Sequence, residues 1–166
     1  MWGVASLALA AIVGLAVWVL KPAPAPQPVT RTVINLPAGQ RLAVGFDSVI
    51  ALSPDGTRLA YVASQAGAQQ LYVRAMDSME ARPIPDADGA DAPFFSPDSQ
   101  WLGFFAENKL KKVSVSGGAP ITVCDAPGPW HNASWGTDDT IVFSGYNGAT
   151  AVGLLQVPAA GGARNR

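Results

Sequence analysis

Apolar residues along the chain follow two patterns. From Trp2 to Leu20 they form one run with no charged side chain, interrupted only by glycine and Ser6; beyond residue 32 they come in short bursts punctuated by Gly, Pro, Ser and Asp. The first pattern predicts a transmembrane helix over residues 1–21, because such a run at helical rise extends about 28 Å, close to the thickness of a hydrocarbon core. Trp2 and Trp18 stand near its ends, where an amphipathic indole suits the headgroup layer, and Lys21 marks the return to water. A cleaved signal peptide is the competing reading. It lacks a basic start, and a cut after Ala23-Pro24-Ala25 would leave Pro26 at the new terminus. Ser6, Ala10 and Gly14 share one helix stripe, a candidate homodimer face, although an alanine-rich segment produces that spacing by chance as well.

Over residues 22–31 Pro22, Pro24, Pro26 and Pro28 alternate with Ala and Gln. Proline lacks the amide a helix needs, so this stretch predicts an extended spacer of about 3 Å per residue. The bursts that follow repeat. Leu52-Ser53-Pro54-Asp55-Gly56 precedes the strand-like Leu59-Ala60-Tyr61-Val62, and 43 residues later Phe95-Ser96-Pro97-Asp98-Ser99 precedes Leu102-Gly103-Phe104-Phe105. A third copy, Trp135-Gly136-Thr137-Asp138-Asp139 before Ile141-Val142-Phe143, comes 40 residues on, without the proline and one position shorter. A second landmark keeps the same phase: Leu71-Tyr72-Val73, Leu110-Lys111-Lys112-Val113 and Leu154-Leu155-Gln156-Val157.

Each signature is a turn. Ser53 begins it, Pro54 presets the second place of a type I turn, and Gly56 suits the fourth. The apolar bursts on either side become paired strands, for the second copy about Ala92–Phe95, Trp101–Ala106, Lys109–Val115 and Pro120–Cys124. Four short strands in a unit of about 40 to 45 residues make one blade of a β-propeller. The expected fold class is therefore all-β: a partial, unclosed propeller of about three blades over residues 32–166 (about 45–86, 87–126 and 127–166), preceded by one transmembrane helix. A ring needs about four to eight blades, so two full units and part of a third read as a truncated ring, with Thr32–Leu36 as a closing strand of the intact one.

These residues resemble the TolB-like, WD-repeat-like propeller repeats of bacteria, over Val29 to the end. They are closest in style to the extracytoplasmic propeller of bacterial membrane Ser/Thr protein kinases, in which a kinase domain, one span and a proline-rich spacer precede such blades. Ala51–Val62, Pro93–Val123 and Ala133–Phe143 carry the likeness. It implies a single-pass inner-membrane protein whose blades lie outside the cytoplasm and bind a protein or small ligand, with a catalytic half upstream of Met1. Lys21, Arg31 and Arg41 follow the span and no basic residue precedes it, a bias that by itself keeps the blades in the cytoplasm. Prolyl oligopeptidases also carry propellers with similar repeats, which makes a TolB-like periplasmic protein or a hydrolase-gating propeller the alternative. A membrane-tethered transcription regulator is a further one.

Composition narrows the chemistry. Eleven basic and twelve acidic residues leave a formal net charge of −1, which gives no field for holding nucleic acid. One cysteine, Cys124, allows neither an internal disulfide nor a thiolate metal cage. No glycine-rich phosphate loop, His-Arg-Asp or Asp-Phe-Gly loop, or Gly-x-Ser-x-Gly elbow is present, so no catalytic residue is assigned, and no cofactor. Asp86, Asp88, Gly89 and Asp91 mimic the start of a calcium loop, but Pro97 stands where its glutamate belongs, and no metal site is assigned. His131, the sole histidine, is read as packing beside Trp130. The residues singled out are the repeat-turn set Ser53, Pro54, Asp55, Gly56, Ser96, Pro97, Asp98 and Asp138; their recurrence in phase points to shaping turns. Lys109, Lys111 and Lys112 are read as a solvated basic edge that discourages strand pairing.

Overall fold

Short bursts of β-branched and aromatic residues between turn formers fold as antiparallel hairpins, and a computed structural model describes them over residues 33, 36, 38–43, 48–128, 132–147 and 150–163. The expected span, spacer and Ser6/Ala10/Gly14 stripe lie outside the described residues, as do Trp130 and His131. Among the described residues no helix is long and apolar enough to cross a membrane. The chain divides into two units, Met1–Val33 and Ile34–Arg166, and among the described residues the strands belong to the second.

Three sheets follow one another along the chain. The first contains β1 (Gln40–Leu42), β2 (Ile50–Leu52), β3 (Arg58–Gln65), β4 (Ala68–Ala75) and β5 (Ala81–Asp88). The second contains β6 (Asp91–Phe95), β7 (Trp101–Ala106), β8 (Lys109–Ser114) and β9 (Ile121–Asp125), and the third β10 (Ala133–Trp135), β11 (Thr140–Asn147) and β12 (Thr150–Pro158). All pairings are antiparallel between sequential strands, except that β1 and β2 share one side of β3. There β1 lies along Ala63–Gln65 and β2 along Leu59–Tyr61. Val62 bridges the break, its carbonyl accepting from the Ala43 amide at 3.0 Å and its amide donating to the Val49 carbonyl at 2.9 Å. Of the strand expected over Thr32–Leu36 only Val33 and Leu36 are described, and neither is in a strand.

Period-two alternation decides what each sheet faces. On β7, Leu102, Phe104 and Ala106 turn toward the first sheet and pack with Ala60, Val62, Leu71 and Val73. Phe105 turns the other way, toward Trp135, Ile141 and Phe143 of the third sheet. Phe104, Leu102 and Leu110 are fully buried, each contributing about 1.5–3 kcal/mol of transfer free energy. Gly103, on the same face as Phe105, leaves room for the Phe94 ring, which a Cβ would strike. The strands that lead into β3, β7 and β11 lie against one another, β2 with β6 and β6 with β10, so the sheets converge at that edge. The lysines of β8 do not guard an edge: β8 is an interior strand between β7 and β9. Lys111 instead pairs with Glu107 at 2.7 Å and holds that carboxyl below its usual range.

Candidate ligand-binding cleft between the second and third sheets

The three signature turns sit immediately before β3, β7 and β11. In the first, the Gly56 amide donates to the Ser53 carbonyl at 2.8 Å, and Gly56 has φ +70°, a conformation glycine adopts freely. The Ser53 hydroxyl donates to Asp55 Oδ1 at 2.5 Å and accepts from the Arg58 amide at 2.9 Å. Asp55 Oδ1 also accepts from the amide and hydroxyl of Thr57, at 2.9 and 2.8 Å. These donors, the Ser53 hydroxyl first, lower the Asp55 pKa from 3.8 to about 2. The second turn repeats the plan: Ser96 donates to Asp98 at 2.5 Å and accepts from the Trp101 amide at 2.9 Å, and Asp98 is likewise held below its ordinary range by Ser96 and then the Gln100 amide.

Ser99 occupies the place of Gly56, with φ +60°, and its buried hydroxyl accepts the Asp55 amide of the preceding sheet at 3.2 Å. The third turn diverges. Gly136 replaces the serine, and a Cβ there would meet Asp138 Oδ1 at 2.5 Å, so the carboxylate fills the space of the missing side chain. Asp138 still accepts from the Thr140 amide at 3.2 Å. Asp139 takes the glycine place at φ +64°, and its carboxylate accepts the Trp135 indole N–H at 3.0 Å.

Where the second and third turns face each other a cleft of about 500 Å³ opens, lined by Ser96, Pro97, Asp98, Trp101, Lys112, Trp135, Gly136, Thr137 and Asp139. The Lys112 ammonium lies 4.7 Å from the centroid of the half-buried Trp101 and 6.0 Å from that of the buried Trp135. An indole face attracts a cation without neutralising it, and among the described residues Lys112 forms no salt bridge. Beneath, Phe94 packs on Trp135 and Phe105, each at 6.3 Å between centroids, and Phe105 packs on Phe143 at 5.9 Å. This aromatic cluster backs Trp135, while the lining of the cleft itself carries one cation and two acids.

No family model and no curated protein matches the chain. Solved structures do. A putative TolB from Agrobacterium tumefaciens is 20% identical with a TM-score of 0.56, over 69% of this chain and 46% of that one. The β-propeller domain of the Trilobed protease from Pyrococcus furiosus is 12% identical with a TM-score of 0.52, over 74% of this chain and 43% of that one. The AtxE2 isopeptidase is 19% identical with a TM-score of 0.52, over 64% and 22%. This chain therefore spans less than half the length of each.

The three sheets are propeller blades.

With the blades in register, the repeat serves as its own control. Lys112 stands where the first blade has Val73, which is buried against the second blade. Trp101 stands where the first blade has Arg58, and Asp139 where it has Gly56. The cleft is thus built from departures at one blade interface. Of the residues singled out from sequence, Ser96, Pro97 and Asp98 line it, Asp138 braces its far wall, and Ser53, Pro54, Asp55 and Gly56 form the neighbouring turn. In the sequence, Trp135 and Asp139 stand out only as parts of the third signature, Lys112 only as part of a basic edge and Trp101 only as a strand start; a search for what breaks the recurrence picks out all four. Asp86 and Asp88 end β5 and Asp91 opens β6, and no group of metal-ligating side chains forms among the described residues.

Proposed function

We propose that this chain is a non-catalytic binding segment whose ligand site is the cleft between the second and third blades. One observation carries the reading: where the first blade has the buried Val73, the second has a lysine that stands between two indoles with its charge unneutralised by any described carboxylate. A closed core interface has no use for a cation. A ligand offering an acid or polar group to Lys112 and an apolar face to Trp101 fits the site, with Asp98 and Asp139 on its rim.

The wider reading is a membrane-anchored, extracytoplasmic sensor segment of a bacterial receptor-type Ser/Thr protein kinase. It is supported by the charge-free run before the blades, the proline-rich spacer and the form of the repeats. The second reading is a propeller serving a hydrolase, favoured by the likeness to an isopeptidase and to the propeller of a protease. The DNA flanking the gene separates them: kinase loops encoded upstream support the first, and a Gly-x-Ser-x-Gly encoded downstream supports the second. For the cleft, the full chain in mild detergent is screened by thermal shift against small carboxylates, sugars and acidic peptides. A compound that raises Tm should lose its effect in Lys112→Val while the variant's own Tm is equal or higher, since valine restores the first interface's packing. A screen in which nothing shifts the wild-type Tm, or in which Lys112→Val responds equally, overturns the reading.

A further inference from the structure

The Lys112 cleft holds opposite charges that do not meet. Lys112, Asp98 and Asp139 all line it, yet among the described residues Lys112 forms an ion pair with neither carboxylate. Each acid is committed on one oxygen only. Asp98 Oδ1 accepts from the Ser96 hydroxyl and the Gln100 amide, at 2.5 and 3.0 Å, and Asp139 Oδ1 from the Trp135 indole at 3.0 Å. In both, the second oxygen accepts no hydrogen bond among the described residues.

One indole places a cation and an acid relative to each other. Trp135 is buried, with the Lys112 ammonium 6.0 Å from its ring centroid and the Asp139 carboxylate on its N–H. Trp101 lies 4.7 Å from the same ammonium and is only half-buried, so the cleft also offers apolar surface beside the charge. One positive group against two negative ones then selects by charge. A simple anion drawn to Lys112 is repelled by the carboxylates, and a simple cation drawn to them is repelled by Lys112. A neutral sugar compensates none of the three, whereas a ligand bearing both signs gains on each side.

We propose that the cleft takes a free α-amino acid with an apolar side chain, its carboxylate on Lys112, its ammonium on Asp139 and its side chain against Trp101. This rests on the reading of the cleft as a ligand site and adds the chemical class. A free amino acid carries both charges on one carbon. The C-terminal residue of a peptide lacks the ammonium, and the N-terminal residue lacks the carboxylate.

The full chain in mild detergent is titrated calorimetrically with L-phenylalanine, L-leucine, N-acetyl-L-phenylalanine and L-phenylalaninamide. The last two each lack one charge and stand for the two ends of a peptide. At least one amino acid should bind, and L-phenylalanine about tenfold or more tighter than either analogue, the effect of one charge-assisted hydrogen bond. Asp139→Asn keeps an acceptor for the Trp135 indole, and asparagine tolerates the φ of +64° at this position. The variant should bind L-phenylalanine no better than the N-acetyl compound, whose own affinity should not fall. Three results overturn the inference: an analogue that binds as tightly as L-phenylalanine, an Asp139→Asn variant that binds L-phenylalanine like the wild type, or no binding of either amino acid. The cleft itself is judged separately. If any compound binds the wild type and not Lys112→Val, the ligand site stands and only the amino-acid assignment fails.

Discussion

At the scale of single residues, the aspartates of the repeat act as internal braces, and their charge is what the turn uses. Asp55 accepts three donors through one oxygen and keeps its proton off down to about pH 2. A carboxyl whose folded pKa lies below its unfolded value stabilises the fold above the unfolded pKa and loses that contribution as pH falls through the folded one. The wild-type melting temperature should therefore fall between about pH 4 and pH 2, and Asp55→Asn should flatten that stretch of the curve, as followed by circular dichroism; parallel curves would refute the brace. Packing gives an equally sharp contrast. Leu110→Ala should cost about 2–5 kcal/mol, as a fully buried leucine does, and the in-phase but exposed Leu154→Ala within about 0.5 kcal/mol, both by urea titration. Gly103→Ala puts a methyl against the Phe94 ring and should cost about 1–3 kcal/mol by the same measurement.

At the scale of elements, the strands of the second blade were legible in the sequence to within a residue or two, because the Ser96-Pro97-Asp98-Ser99 turn, the polar Glu107-Asn108 pair and the Gly117-Gly118-Ala119-Pro120 stretch separate its apolar bursts. The split inner strand of the first blade was not. β1 and β2 are three residues each, and the short segment between them breaks the alternation that would have announced one strand. Lys109, Lys111 and Lys112 misled for a related reason: a charged run in a strand reads as an edge, yet here Lys111 is paired with Glu107 and Lys112 lies on the Trp101 indole, two contacts that form only once the β7–β8 hairpin is in place. The cleft was hidden for the same cause. Its residues come from two repeats, and the signature turns that supply several of them read, within each repeat, only as turns.

At the scale of the whole Ile34–Arg166 unit, each blade buries one face against the next, as repeat architectures require. The recurring positions foretold that stacking, while the places that break the repeat hold the chemistry. One polar contact between blades has a consequence of its own. Ser99 reaches back from the second blade to the Asp55 amide of the first, from a backbone conformation that glycine would hold with less strain. Ser99→Gly thus relaxes one turn and releases its neighbour. In a linear array whose members are held by nearest-neighbour terms, weakening one such term lowers cooperativity more than it lowers total stability. The variant should melt over a broader range, with a calorimetric enthalpy exceeding the van't Hoff value, while the wild type melts as one. A single hydroxyl thus adds a directional tie to an interface that is otherwise apolar, and its loss is read in how sharply the two blades melt together.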